Sequence, residues 1–202
     1  MAATPQSMFV GITGASGAPY AVRLVEKLAQ AGVYLTLCVS DAGLTVLKHE
    51  LDLEGETRER LTAAFLARAG AAAEVHAPDE MESPPASGSS FPDAAVICPC
   101  SLATAATIAA GTGRNLIHRA ADVALKEGRP LVLVPREMPI SQIHLRRLLE
   151  LSRAGAVIVP PMPAFYSHPQ SVSDLVDSVV GKVLTVLGFH QDLFEPYRGK
   201  RA

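Results

Sequence analysis

Apolar residues in this chain follow two rhythms. Short unbroken runs, such as Ala94-Ala95-Val96-Ile97-Cys98, Leu131-Val132-Leu133-Val134 and Ala156-Val157-Ile158-Val159, alternate with longer stretches where apolar side chains recur every third or fourth position. A strand with one wet face alternates apolar and polar residues, so unbroken runs predict strands covered on both faces. The wider spacing predicts amphipathic helices. In chain order, the pattern predicts a strand over 8–13, a helix entered at Ala18 and Pro19 and stopped by Gly32, and a strand over 34–39. Pro19 suits a first helical turn, where its missing N–H is no loss. Helices over 42–50 and 57–69 and a third strand over 73–76 follow. Residues 79–92, dominated by Ser, Pro, Gly and acidic side chains, read as a loop long enough to be functional. Beyond it come a strand over 94–98, an Ala- and Thr-rich helix after Ser101, and a helix over 116–127. A strand over 131–134, an amphipathic helix over 140–153, a strand over 156–159 and a closing helix over 171–187 complete the series. Strands that alternate with helices predict a three-layer α/β fold with a mostly parallel sheet. No internal repeat or second composition block divides the chain, so 1–202 reads as a single domain with 1–7 and about 196–202 as frayed tails.

Composition narrows the function classes. Of 202 residues 49% are apolar, enough for a sizeable core, and the net charge is −2. Trp is absent and no basic stripe is interleaved with aromatics, which argues against nucleic-acid binding. The longest apolar runs fall well short of the ~20 residues a membrane span needs, so no membrane partner is expected. Met1-Ala2-Ala3-Thr4-Pro5 has no basic segment followed by an apolar run, so it does not read as a secretory signal, and a cytoplasmic protein is expected. The three cysteines, Cys38, Cys98 and Cys100, sit in apolar strand contexts. Their odd number argues against a disulfide framework. Cys98-Pro99-Cys100 is poorly spaced for a metal and no Cys or His partners recur nearby, so buried thiols and no structural zinc are expected.

Candidate chemistry lies in the turns after predicted strands, where open α/β sheets bind ligands. Gly11-x-x-Gly14-x-x-Gly17 falls between a strand and a helix. Glycines there let the backbone approach a ligand, and the helix N-terminus offers N–H donors to a phosphate. The pattern is not G-x-G-x-x-G, and Ser40 rather than an acid ends the second strand, so NAD is not expected. Ser16 is a candidate ligand contact or the helix N-cap. Ser101 and Thr104, with Thr107 a turn later, suit a phosphate or a ribityl chain; N-capping by Ser101 is the plainer alternative. Arg136-Glu137 follows the fifth strand. A carboxylate near a phosphate is repelled unless it is protonated or cations intervene, which would suit Glu137 to general-acid work; a surface ion pair is the alternative. Arg119 and Lys126, seven residues apart, share a helix face that would by default be solvated. Tyr166, in a Pro-rich loop, would cap an apolar pocket or pack in the core. None of the six histidines has a metal partner at helical or strand spacing, and no Ser/His/Asp or Cys/His set assembles from spacing. The turns together suggest an enzyme holding a phosphorylated cofactor and a second phosphorylated molecule.

Five segments carry a resemblance to a known family: Gly11-Ile12-Thr13-Gly14-Ala15-Ser16-Gly17-Ala18-Pro19-Tyr20, Cys98-Pro99-Cys100-Ser101, Arg119-Ala120-Ala121-Asp122-Val123-Ala124-Leu125-Lys126-Glu127, Pro135-Arg136-Glu137-Met138-Pro139 and Pro163-Ala164-Phe165-Tyr166. They resemble the UbiX-like flavin prenyltransferases, over about residues 8–195. The resemblance implies a flavodoxin-like Rossmann core that binds FMN. It further implies metal-independent transfer of a dimethylallyl group from dimethylallyl monophosphate to N5 and C6 of reduced FMN, giving prenylated FMN for a UbiD-type decarboxylase. Such proteins typically form dodecamers with active sites between subunits. By position, the resemblance assigns flavin contacts to Gly14, Ala15, Ser16, Ser40, Ser101, Leu102, Ala103, Thr104 and Arg136. It sets Glu50, Arg119, Lys126, Arg136, Glu137, Tyr166 and Lys182 around the prenyl phosphate, with Arg119 reaching in from a neighbouring subunit. Glu137, Ser16, Lys126 and Glu50 would be catalytic, Glu137 as proton donor and Ser16 orienting protons near N5. The chain departs from many relatives at Leu102-Ala103-Thr104, where they carry Gly or another small polar residue, and Tyr197 would either close the site or fray. The alternatives are a flavin-dependent cysteine-type decarboxylase and a non-catalytic flavin carrier.

Overall fold

Six strands form one sheet: β1 (Ser7–Ile12), β2 (Tyr34–Val39), β3 (Glu74–His76), β4 (Ala94–Cys100), β5 (Leu131–Pro135) and β6 (Val157–Ile158). The structure is a computed structural model and describes residues 4–195; the predicted tail over 196–202, with Tyr197, lies outside the described residues. Every strand pairing is parallel, in the order β3-β2-β1-β4-β5-β6. The predicted three-layer Rossmann-like class is the one found. The order reverses between β1 and β4, and this switch point opens the crevice in which doubly wound sheets hold ligands.

Helices α1 (Ala18–Gln30), α2 (Asp41–Glu50), α3 (Arg58–Ala69), α4 (Leu102–Ala109), α5 (Leu116–Lys126), α6 (Gln142–Arg153) and α7 (Val172–Val186) cover the sheet. Side-chain alternation along β1 divides the core. Met8, Val10 and Ile12 join a cluster with Leu24, Phe65 and Val180, whereas Phe9 joins the opposite cluster with Ile117 and Leu133. Burying a large apolar side chain contributes roughly 1.5–3 kcal/mol. Both faces of β4 and β5 draw on that term, which is why these strands read as unbroken apolar runs.

Several boundaries differ from the sequence reading. β4 continues through Pro99 to Cys100, beyond the expected end at 98, with a register shift between Ile97 and Cys100 where proline offers no N–H to the ladder. β6 is shorter than predicted because it is the sheet edge, with one flank unpaired. The 79–92 loop contains short 3₁₀ turns at Pro84–Ala86 and Gly88–Ser90, anchored by buried Pro85 and Phe91. Part of the expected N-terminal tail is tied down: the backbone N–H groups of Gln6 and Ser7 both donate to the Asp93 carboxylate at 3.0 Å.

Candidate active site

Thr13 ties the switch point together. At the carboxyl end of β1 its backbone N–H and its hydroxyl both donate to the Pro99 carbonyl, each at 3.1 Å. Its Oγ1 also accepts the Ser101 N–H at 2.7 Å. A buried threonine therefore holds the turn after β1 against the turn after β4. Ser101 Oγ accepts the Thr104 N–H at 3.1 Å and donates to Thr104 Oγ1 at 3.0 Å, so Ser101 does cap α4. Leu102 packs inward in that turn while Ala103 is exposed. After β2, the Ser40 N–H donates to Ile12 O and its Oγ accepts the Gly43 N–H, both at 3.0 Å, capping α2. After β5, Arg136 donates from its backbone N–H to Cys100 O at 3.3 Å and from Nε to Ser16 O at 3.1 Å. Gly14, Ala15, Ser16, Ser40, Ser101, Thr104 and Arg136 thus meet at one crevice.

The N-terminus of α1 is organised differently from the expectation. Gly17, not Ser16, is its N-cap residue, and no cap-residue side chain serves it. The Glu50 carboxylate arrives from the end of α2 instead, accepting the N–H groups of Gly17 at 2.9 Å and Ala18 at 2.8 Å. Partial burial alone would raise the Glu50 carboxyl. The Ser16 hydroxyl, the two backbone donors and the Arg136 charge outweigh it and hold the group below its ordinary value. A carboxyl that titrates lower when folded stabilises the fold fully above the ordinary pKa of 4.5, and that contribution fades as pH falls below it. Glu50→Gln is expected to cost about 1 kcal/mol near pH 7, in the range of a lost helix cap. Urea unfolding at pH 7 and at pH 3.5 checks this: the gap between variant and parent should narrow in acid, and a gap that does not change with pH would refute it.

The remaining predicted residues stand elsewhere. Tyr166 and Lys182 line a cavity of about 620 Å³ between the segment after β6, α7 and the segment 189–194. It lies beside the sheet edge, next to β6 and α7, rather than over the switch point. Glu137 is exposed, and its Oε1 accepts the Met138 N–H at 3.1 Å. Arg136 turns inward to Ser16 instead, so the alternative of a surface ion pair between these neighbours is not realised. Arg119 donates from Nε to Ala86 O at 3.0 Å and pairs with Asp122 at 2.9 Å. Lys126 pairs with Glu127 at 2.7 Å. It ends α5 just before β5 begins and so lies toward the amino edge of the sheet, away from the crevice. Within one chain, Arg119 and Lys126 are therefore not brought to the other candidates.

Two residues at the crevice escaped the sequence reading as site residues. Thr13 looked like the end of a strand, and nothing in its local pattern marks the cross-turn bonds. Tyr20, half-buried one turn into α1, has its hydroxyl pushed up by burial and by Cys98 against the lowering charge of Arg136, which marks it as a neighbour of that arginine. The cysteines are buried and free. Burial pushes Cys38 and Cys100 to about 12 and raises Cys98 as well, so all three behave as apolar thiols.

A parallel sheet whose glycine turn, serine-capped helices and arginine converge at the switch point defines a nucleotide-cofactor protein of the flavoprotein class, and the Flavoprotein family model matches residues 2–184. The flavin prenyltransferase UbiX of Pseudomonas aeruginosa is 49% identical over 193 residues, covering 94% of this chain and 92% of that protein. A crystal structure of AnUbiX in complex with FMN and dimethylallyl pyrophosphate superposes with a TM-score of 0.86 at 38% identity, covering 96% of this chain and 98% of that one. A dodecameric FMN-dependent UbiX-like decarboxylase from Escherichia coli O157:H7 gives a TM-score of 0.85 at 41% identity, covering 96% of this chain and all of that one. The chain belongs to the UbiX flavin prenyltransferase family.

Proposed function

We propose that this flavin prenyltransferase takes FMN at the switch point and transfers a dimethylallyl group to it from dimethylallyl monophosphate. One observation carries the reading. The turns after β1, β2, β4 and β5 supply Ser16, Ser40, Ser101, Thr104 and Arg136 to a single crevice, while Glu50 already occupies the N-terminus of α1. Hydroxyls, helix N-termini and one guanidinium suit a ribityl phosphate, whose charge is directed to the α2 and α4 side. Reduced FMN supplies the nucleophilic N5 and C6 to which the prenyl group is joined.

The residues of this chain have separable tasks. Arg136 and the serine-capped turns hold the flavin's polar tail, and Ser16, between Arg136 and Glu50, orients protons at its ring edge. Tyr166 and Lys182 take the donor, with the apolar wall of their cavity sheltering the five-carbon group. Glu137 gives a proton to the bridging oxygen of the leaving phosphate as the C–O bond breaks, and the bonding pair leaves with that oxygen. Fixed cations around the phosphate lower the cost of the departing charge. Arg119 and Lys126 serve a site completed by neighbouring copies in a homo-oligomer, a dodecamer by analogy with the Escherichia coli protein. Exposed Met138, Ile143, Leu145 and Leu149 offer the apolar surface that such contacts need. The product serves a UbiD-like decarboxylase, and the pair works in the cytoplasm.

Anaerobic incubation of the full chain with reduced FMN and dimethylallyl monophosphate, followed by the mass of the released flavin, tests the reading. A gain of one prenyl unit over an FMN-only control is expected. Flavin that is bound but unmodified would overturn it and favour the decarboxylase or carrier alternative.

A further inference from the structure

The turn between β2 and α2 is held by a residue that neither spacing nor family resemblance singles out. Arg58, the first residue of α3, lies between Thr57 and Glu59 in a polar helix start and reads as solvated. In the fold its guanidinium reaches across to the turn. One nitrogen donates to the Val39 carbonyl and another to the Asp41 carboxylate, so the fork brackets Ser40 on both sides along the chain. The Arg58 side chain is 22% exposed and that of Asp41 93%, so the bond to Val39 is the protected one, least weakened by solvent.

The inner side of the same turn has little slack. A Cβ on Gly14 would stand 2.5 Å from the Ala42 Cβ, and one on Gly43 would stand 2.7 Å from the Ile12 carbonyl oxygen. The turn is thus pressed against β1 from within and clamped by Arg58 from without, with Ser40 at its centre. The clamp closes as an ion pair at the start of α2, since the guanidinium meets the carboxylate of that helix's first residue, Asp41.

We propose that Arg58 is a positioning residue for the flavin: it fixes the Ser40 turn so that the hydroxyl and the α2 N-terminus face the anionic tail of FMN. The proposal rests on the assignment of Ser40 as a flavin contact. Arg58 acts through the turn rather than by touching the reacting atoms. Its removal should therefore weaken flavin binding and leave chemistry on bound flavin intact.

The test measures the FMN dissociation constant, the donor KM, kcat at saturating FMN and the unfolding temperature for the full chain and its Ser40→Ala, Arg58→Met, Arg58→Lys, Asp41→Ala and Arg58→Met/Asp41→Ala variants. Arg58→Met should weaken FMN about tenfold, the scale of one charge-assisted hydrogen bond, with donor KM and kcat within about twofold. Arg58→Lys should recover only part, because an ammonium lacks the planar fork that serves two acceptors at once. The double variant should bind FMN no more weakly than Arg58→Met, since both substitutions remove one clamp. If Ser40→Ala weakens FMN while Arg58→Met stays within twofold of the parent, the proposal fails and the Ser40 assignment stands. If Ser40→Ala has no effect, the assignment fails and takes the proposal with it. A loss spread evenly over flavin, donor, kcat and unfolding temperature would make Arg58 a purely structural residue and also overturn it.

Discussion

Glu137→Gln is expected to lower prenyl transfer by about 10²–10⁴-fold, the usual worth of a positioned general acid, with FMN affinity changed by less than about threefold. Glutamine keeps the shape of the side chain and its capacity to accept the Met138 N–H, so the loop after β5 should hold its course. It has no acidic proton to give to the leaving phosphate. The defect should therefore appear in a single turnover of preloaded FMN with dimethylallyl monophosphate, followed by the mass of the flavin. A donor already activated by a better leaving group should narrow the gap between variant and parent. A flavin carrier would be indifferent to the change, so wild-type turnover in the variant would remove Glu137 from the chemistry.

Arg136→Met should produce a second large loss, of a different kind. Its Nε bond to the Ser16 carbonyl and its charge beside Glu50 tie the turn after β1 to the turn after β5. A hydrogen bond to a charged group contributes about 1.5–3 kcal/mol, and its removal leaves the Ser16 carbonyl short of a partner. FMN binding should weaken about thirtyfold or more, and turnover should fall even at saturating flavin because Ser16 is no longer held. Arg136→Lys should restore part of the affinity. Titration with FMN and a saturated rate measurement separate the two effects, and loss of turnover without loss of affinity would show that Arg136 serves the donor alone.

Sequence patterns carried the layer architecture because β1, β2, β4 and β5 are buried on both faces and the amphipathic helices on one. Periodicity reports burial directly. Strand ends were harder, as at Pro99, where β4 continues through a residue that usually ends a ladder. Ser16 and Ser101 were marked as candidates by their turns, which follow strands and in this fold class share one edge, whereas Ser40 was singled out by family resemblance alone. The Glu50 contact was not legible as a cap for α1. Glu50 and Gly17 stand 33 residues apart, and no local rule connects the end of one helix to the start of another. Arg119 and Lys126 mark a further limit, since helical spacing puts them on one face without saying what that face meets. The cavity around Lys182 draws its walls from α7, the segment after β6 and the chain past Leu187, a convergence that only the folded chain displays.

The carboxylate at the start of α1 has a consequence for which cofactors this fold can accept. In a dinucleotide-binding sheet that helix end is the socket for a pyrophosphate. Here the protein supplies its own permanent anion, bonded to the two N–H groups that a pyrophosphate would seek. A dinucleotide would have to displace Glu50 or bring its negative charge against it, and either choice is costly at hydrogen-bond range. Glu50 thus stands as an internal tenant of the socket, a barrier to NAD-like molecules over and above the absence of an acid at the end of β2, and one that a mononucleotide seated as proposed, on the α2 and α4 side, would not have to contest.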